Sequence, residues 1–185
     1  MMKKIYVIVL MGLLLIVTAC TSGEPVKEKI APFTFTNEEA KPFGSEDLYG
    51  SIWIANFIFT SCDTVCPQMT VELLRLQEAL AEEGIEVTFI SFTVDPEVDR
   101  PKVIQEYISS FGNEHKNWHM LTGYSQTEIE TFAREQFQTI VQKPASSNQV
   151  IHGTNFYVVD QEGYLINEYN YSETGYIDKV IMDLK

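Results

Sequence analysis

The chain has 185 residues, of which 45% are hydrophobic and 21% are charged, and these proportions exclude a disordered or fibrous protein. The length suits one domain with a substantial core. There are 26 Asp and Glu against 13 Lys and Arg, so the net charge of -13 repels phosphate backbones and argues against nucleic-acid binding.

The start of the chain has the pattern of an export signal. Two lysines in the first four residues precede an apolar run, Ile5–Val17, whose 13 residues are fewer than the ~18 that a membrane span needs. The run ends in Val17-Thr18-Ala19-Cys20, which resembles the bacterial lipobox. We predict a lipoprotein signal peptide over residues 1–19, lipidation of Cys20, and attachment to the extracytoplasmic face of a bacterial cell membrane. An uncleaved anchor or an ordinary signal peptide is the alternative.

A polar segment separates this signal from the rest of the chain. Residues 20–31 contain Ser, Gly, Pro and charged side chains, which predict a flexible, lipid-anchored tether. The folded domain is expected over residues 32–185. Because Cys20 is the predicted lipidation site, Cys62 and Cys66 remain as a pair in a compartment that permits disulfides.

Strands and helices are predicted in alternation along this domain, from apolar runs and from apolar side chains at helical spacing. In chain order they are a strand at Phe33–Thr36, a loop at Gly44–Gly50, a buried strand at Ile52–Thr60, a helix from Pro67 to Gly84, a buried strand at Val87–Val94, a helix from Asp99 to Gly112, a helix from Ser125, strands at Asn155–Val159 and Tyr164–Tyr169, and a helix from Tyr176 to Leu184. This order is the thioredoxin layout. We therefore predict an α/β, thioredoxin-like fold, with a mixed central sheet flanked by helices and an N-terminal β extension.

Two cysteines stand where the first buried strand ends and a helix begins, in the segment Ser61-Cys62-Asp63-Thr64-Val65-Cys66-Pro67. Ligands bind at the carboxyl ends of strands in open α/β sheets, so this junction suits a site. A sulfur at Cys66 would face free N–H groups of the helix, which predicts a lowered thiol pKa for Cys66. The pair can close a disulfide or bind one metal ion, and an inert structural disulfide remains an alternative.

Two thiolates rarely complete a site for a soft metal, and the chain has three histidines to offer a third ligand. His115 and His119 lie in a polar stretch and are predicted to be solvated loop residues. His152 stands just before the strand Asn155–Val159, which in a thioredoxin sheet begins beside the carboxyl ends of the parallel strands. We therefore predict His152 as the third ligand beside the cysteines. This donor set suits copper or zinc, and the spacing does not separate the two metals.

Three separated segments, FTSCDTVCPQMT, ISFTVDPEVDRP and VIHGTNFYVVD, together resemble the Sco (SenC) family over about residues 32–185. Members of this family are membrane-tethered, thioredoxin-like copper proteins that serve the assembly of cytochrome c oxidase. By position, the resemblance implies that Cys62 and Cys66 are a redox-active pair and that they bind copper together with His152.

The same resemblance implies a function and partners. The protein would be a copper chaperone that delivers Cu(I) or Cu(II) to the CuA site of cytochrome c oxidase, or that keeps the cysteines of that site reduced. Its partners would be the oxidase subunit that carries CuA and a thiol reductant or a copper donor protein. Asp95 follows the second buried strand, where an acidic residue of the family would contact metal or partner; a turn-forming Asp-Pro pair is the alternative.

The main alternative function is an extracytoplasmic thiol–disulfide oxidoreductase. Such thioredoxin-like enzymes usually have C-x-x-C and a proline before the strand that faces the site, whereas this chain has C-x-x-x-C and His152-Gly153-Thr154. The two roles can coexist, because the cysteines must be reduced to bind metal. A thiol peroxidase is disfavoured, because Ile54–Ser61 lacks the proline that peroxiredoxins carry before their reactive cysteine.

Overall fold

The computed structural model describes residues 28–112 and 117–185. The strands are β1 (Thr34–Thr36), β2 (Pro42–Gly44), β3 (Ile52–Ile58), β4 (Val87–Thr93), β5 (Trp118–Leu121), β6 (Val141–Gln142), β7 (Ile151–His152), β8 (Asn155–Val159) and β9 (Leu165–Asn170). The helices are α1 (Ser45–Leu48), α2 (Cys66–Glu82), α3 (Pro101–Ser110), α4 (Gln126–Phe137) and α5 (Tyr176–Leu184).

Five of these strands form one mixed sheet in the order β5-β4-β3-β8-β9. The β3–β4 and β4–β5 pairs are parallel, while β3–β8 and β8–β9 are antiparallel. The two central strands are buried along almost their whole length, as their apolar and aromatic runs require. The prediction of an α/β, thioredoxin-like fold is confirmed.

An antiparallel ribbon of β1 and β2 precedes the sheet and matches the predicted N-terminal β extension. The loop predicted at Gly44–Gly50 is wrong in part, because Ser45–Leu48 form the short helix α1. Asp47 explains the helix: its carboxylate accepts the backbone N–H of Gly44 at 2.8 Å, which satisfies a donor at the helix N-terminus.

The predicted tether, residues 20–31, overlaps the folded part of the chain at residues 28–31. The carbonyl of Glu28 accepts the N–H of Leu165 at 3.0 Å, Lys29 bridges to Tyr164, and the side chain of Ile30 is buried in the core. Residues 28–31 therefore belong to the folded part, because an apolar side chain and two sheet-edge contacts hold them there. The predicted signal peptide, Cys20 and residues 20–27 lie outside the described residues.

Strand β5 was not predicted. The prediction that His119 is a solvated loop residue is wrong for the same reason. His119 lies on β5, paired in parallel with Ile90 of β4, and its Nδ1 is 3.0 Å from Oε1 of Glu38. It is thus a partly buried sheet residue and not a solvated loop residue. His115 lies outside the described residues.

The core lies on both sides of the sheet and is rich in aromatic rings. Phe57, Phe92 and Phe137 have centroids 5.3–5.8 Å apart and fasten α4 to the central strands. Burying one such ring stabilises the fold by about 1.5–3 kcal/mol, so the scaffold behind the site is rigid. Among the described residues, no helix combines the length and the apolar composition that a bilayer span requires.

Candidate metal centre

Cys62 lies beyond the carboxyl end of β3, in the loop that leads into α2, and Cys66 is the first residue of that helix. The helix begins at Cys66, one residue before the predicted start, and Pro67 occupies an early position where its missing N–H costs nothing. Val65 precedes the helix without any side-chain cap. The backbone N–H of Cys66 donates instead to Sγ of Cys62 at 3.4 Å, so a sulfur serves the helix N-terminus.

The structure brings the three predicted ligands together. One ligand atom each from Cys62, Cys66 and His152 lies within 4.8 Å of the other two. Sγ of Cys66 is 3.4 Å from Nε2 of His152, and both cysteines are free thiols. Cys66 is fully buried, whereas Cys62 keeps 8% of its surface exposed. A partner would therefore meet the sulfur of Cys62 first.

The two thiols differ in acidity, and the difference is opposite to the sequence expectation. Burial acts to raise the pKa of Cys62, but hydrogen bonds from Cys66 and Thr64 outweigh it and leave the pKa of Cys62 below the ordinary value. Burial raises the pKa of Cys66 strongly, and its hydrogen bond to Cys62 raises it further. The lowered pKa belongs to Cys62 because its sulfur, and not that of Cys66, faces the helix N-terminus.

His152 reaches the cysteines from an antiparallel ribbon of β6 and β7, which the sequence analysis missed. In this ribbon His152 pairs with Val141, and the N–H of Gly153 donates to the carbonyl of Ile140 at 3.1 Å. The ring of His152 also packs edge-on against Phe59, with centroids 5.8 Å apart. The imidazole is thus held between the ribbon and the end of the central strand.

The tautomer of His152 follows from its second contact. Nδ1 lies 2.8 Å from the carbonyl oxygen of Gly153, and because a carbonyl only accepts, Nδ1 carries the proton. Nε2 therefore carries no proton, and its lone pair faces Sγ of Cys66 as an acceptor, 3.4 Å away. Burial lowers the pKa of His152, which favours the neutral ring. A neutral imidazole with an oriented Nε2 is the form that binds metals.

Gly153 lets this segment approach its neighbour closely. A Cβ at this position would lie 2.1 Å from Oγ1 of Thr139, well inside contact distance. A side chain there would push Gly153 away from the segment that leads from α4 into β6, and it would move His152 with it. The glycine after the histidine is therefore a condition for the geometry of the site.

Asp95 does not join the three ligand residues. Its side chain is 2% exposed, and its Oδ1 accepts a hydrogen bond from Nζ of Lys143 at 2.7 Å. The structure therefore places Asp95 outside the ligand cluster and pairs its carboxylate with a lysine ammonium.

Asp99 is a residue that the sequence analysis treated only as the start of a helix. It is fully buried, and its carboxylate accepts the N–H and hydroxyl of Thr60 at 3.0 and 2.5 Å and the hydroxyl of Thr93. Burial raises the pKa of Asp99, partly offset by these hydrogen bonds. Asp99 thus ties the cysteine loop to β4. Its position just before Arg100-Pro101 resembles a helix cap, but the cap is Arg100.

The donor set fits one soft or borderline metal ion. Metal–sulfur bonds of about 2.3 Å and metal–nitrogen bonds of about 2.0–2.1 Å, as in zinc sites, place two donors of one ion at most about 4.6 Å apart. The separation of 3.4 Å between Cys66 and His152 lies inside that limit. Thiolate and imidazole favour copper or zinc over calcium or magnesium.

The fold and this cluster define a thioredoxin-like protein with a Cys–Cys–His group positioned for a metal ion at the carboxyl end of its sheet. The model of the SCO1/SenC family matches residues 22–185, and the chain belongs to that family.

Three solved structures are similar to this chain. A SCO1/SenC family lipoprotein from Bacillus anthracis is 41% identical with a TM-score of 0.83, covering 88% of this chain and 96% of its own. BsSco, described as a cytochrome c oxidase assembly protein of the Sco family with a disulfide switch, is 43% identical with a TM-score of 0.78, covering 87% and 94%. Yeast Sco1 with copper bound is 28% identical with a TM-score of 0.68, covering 84% and 87%.

Proposed function

We propose that this protein is a copper-binding assembly factor for cytochrome c oxidase and that Cys62, Cys66 and His152 are its copper ligands. The observation that carries the proposal is the convergence of two thiols and one oriented imidazole nitrogen within 4.8 Å. Solved relatives include a copper-bound protein and a cytochrome c oxidase assembly protein, which supports copper over zinc. Bound copper would supply the ion for the CuA site of the oxidase subunit.

The three proposed ligands differ in how readily they reach the deprotonated form that binds a metal ion. Cys62, with its lowered pKa, supplies a thiolate readily. Cys66, whose pKa burial raises, keeps its proton until a cation replaces it. His152 needs no deprotonation, because its proton is on Nδ1 and Nε2 is unprotonated. Metal binding should therefore release protons from the thiols, including that of Cys66, which the metal ion replaces.

The cysteine pair also couples copper binding to redox state. Exchange with the disulfide of a partner protein would break the partner's S–S bond and form one between Cys62 and Cys66, and two protons and two electrons would pass to the partner's sulfurs. That bond consumes both thiolate ligands, so the oxidised protein cannot hold copper through them. The disulfide switch described for BsSco supports this coupling. Equal copper loading of the oxidised and reduced protein would contradict it.

The location follows from the predicted anchor. Cysteine lipidation at Cys20 would hold the domain on the extracytoplasmic face of the membrane, and the similar Bacillus anthracis protein is a lipoprotein. A chain running from Cys20 to residue 28 spans at most about 30 Å. The folded domain would thus stay near the membrane that holds the oxidase, where a thiol reductant or a copper donor could also reach it.

The proposal is tested by an anaerobic copper titration of the reduced protein. The chain is produced without residues 1–19 and with Cys20→Ser, so that Cys62 and Cys66 are the only thiols, and copper binding is followed by absorption and EPR. We expect a one-to-one complex with thiolate-to-Cu(II) charge transfer, altered in His152→Ala and unchanged in the matched control His119→Ala. Failure of the fully reduced protein to form a stable complex would overturn the proposal.

Thiol–disulfide exchange is the second candidate, and the unequal thiols favour it. A partly exposed cysteine of lowered pKa beside a buried one is the arrangement of an attacking and a resolving thiol. If exchange is the main role, Cys66→Ser should trap a mixed disulfide between Cys62 and a small disulfide substrate. Cys62→Ser should leave the protein inert toward the same substrate.

A further inference from the structure

The ribbon that carries His152 is too short to hold itself in place. It has two residue pairs, Val141 with His152 and Gln142 with Ile151. Two-stranded ribbons are at best marginally stable in water, and this one closes through a loop whose residues 145–149 are exposed. The position of the imidazole therefore depends on what fastens the ribbon to the rest of the domain.

Lys143, the first residue after β6, is fastened at both its backbone and its side chain. Its N–H donates to Oε1 of Glu130 on α4 at 3.0 Å. Its Nζ donates to Oδ1 of Asp95 at 2.7 Å, and Oε2 of Glu97 lies 3.4 Å away. The side chain of Lys143 is 21% exposed, so this ion pair is shielded far more than a surface pair.

The Asp95 end of this pair is fixed to the cysteine side of the site. The carbonyl of Asp95 accepts the N–H groups of Val98 and Asp99, and Asp99 in turn holds Thr60, two residues before Cys62. The pair therefore links the histidine ribbon to the turn that anchors the cysteine loop. The contact of Gln149 with the carbonyl of Ser61 is exposed and long, 3.5 Å, and is the weaker link.

We propose that Lys143 is a positioning residue for His152. Its ion pair with Asp95 holds the β6–β7 ribbon in the position that places Nε2 of His152 beside the sulfurs of Cys62 and Cys66. The inference rests on the proposed copper function. Without the ammonium group, Asp95 would be a buried charge without its partner, and the turn and the ribbon would separate to let water reach it. The imidazole would then lie further from the cysteines on average, while the cysteine pair would keep its own geometry.

A double-mutant cycle separates positioning from simple stabilisation. Lys143→Met removes the charge and keeps most of the apolar stem, and it is combined with the wild-type residue or alanine at position 152. We expect Lys143→Met to weaken Cu(II) binding about 10-fold and to change the EPR signal when His152 is present. With alanine at position 152, we expect no further loss, because no imidazole remains to be positioned. The midpoint potential of the cysteine pair should stay unchanged throughout.

Three further variants complete the test. Asp95→Asn removes the other half of the ion pair and should weaken Cu(II) binding as Lys143→Met does. Lys143→Arg keeps the positive charge and should retain the Cu(II) binding of the wild type. Lys179→Met, which removes an exposed ion pair with Glu173, should leave Cu(II) binding unchanged. Thermal unfolding establishes that each variant is folded. Equal losses with and without His152, or an unchanged signal in folded Lys143→Met and Asp95→Asn, would overturn the inference alone. An unchanged signal in His152→Ala would overturn the ligand assignment itself.

Discussion

The two halves of the metal centre are built very differently. The cysteines follow β3, a central strand that pairs with β4 along its whole length, and both belong to the buried core. The histidine lies on a ribbon of two residue pairs, whose Ile151 is 51% exposed. Local opening is easiest where buried apolar contacts are few, so the histidine side should open at a lower free energy than the cysteine side.

This difference in local stability suits the two halves of the site to different roles. The cysteine half keeps two sulfurs close together at the end of a buried strand, so that they can form and break a disulfide bond reversibly. The histidine half is the ligand that can withdraw with the least disturbance of the core. Under the proposed function, in which the protein binds copper and also gives it up, a ligand that moves independently would make release easier. Substitutions in the cysteine half should therefore change both the copper affinity and the redox couple. Substitutions in the histidine half should change the copper affinity alone.

The largest effect is expected for the cysteine half itself. Cys66→Ser should remove the redox couple and weaken Cu(I) and Cu(II) binding by more than about 100-fold, because it removes a thiolate ligand and not merely its surroundings. Competition against a copper chelator and a thiol assay measure the two effects. If Cys66→Ser loses the redox couple but keeps its copper affinity, Cys66 is not a copper ligand and the prediction is wrong.

A smaller and more selective effect is expected for His152→Ala. Cu(II) affinity should fall about 10–100-fold, whereas the midpoint potential of the cysteine pair should stay close to that of the wild type. Chelator competition and redox titration of the same sample provide the comparison, with His119→Ala as the matched control. A shift of the potential as large as the change in copper binding would show that the two halves are not independent.

Gly153→Ala tests the histidine half without touching a ligand. The new Cβ would clash with Oγ1 of Thr139, so the ribbon should shift and Cu(II) affinity should fall about 10-fold, with the cysteine couple unaffected. Thr139→Ala in the same chain removes the clashing atom and should recover most of the affinity. If the double variant binds no better than Gly153→Ala, the close approach to Thr139 is not what positions His152.

The smallest effect concerns Asp99 beneath the cysteine loop. Because burial raises the pKa of Asp99, its carboxyl group stabilises the fold below its ordinary pKa of 3.8, and that stability is lost as pH rises through the folded-state pKa. The stability of the wild type relative to Asp99→Asn should therefore decrease as pH rises from 4 toward 7. Urea unfolding at several pH values measures the free energy of unfolding of both proteins. A stability advantage of the wild type over Asp99→Asn that grows with pH would contradict the prediction.

The cysteine half was largely predictable because its signals are local. A long apolar strand, a proline at the helix start and two cysteines between them all lie within one short segment, and the structure has each of them. His152 could be predicted because it directly precedes β8, whose antiparallel pairing brings it to the same end of the sheet. The resemblance to the Sco family reinforced both predictions.

The features that were missed depend on contacts between distant parts of the chain. Strand β5 is a four-residue edge strand, and β6 and β7 have two residues each, so pairing with a neighbour and not residue preference determines them. The ion pair of Asp95 joins residues 48 positions apart. The relative acidity of the two thiols depends on burial and on which sulfur faces the helix, and neither can be derived from spacing alone.

The central claim is that the two cysteines and His152 bind one copper ion together. X-ray absorption of the Cu(II)-loaded protein, combined with pulsed EPR after 15N labelling of histidine, tests it most directly. We expect two sulfur neighbours at about 2.3 Å and one imidazole nitrogen, which disappears in His152→Ala and persists in His119→Ala. Copper without sulfur neighbours, or an imidazole signal that survives in His152→Ala, would contradict the assignment.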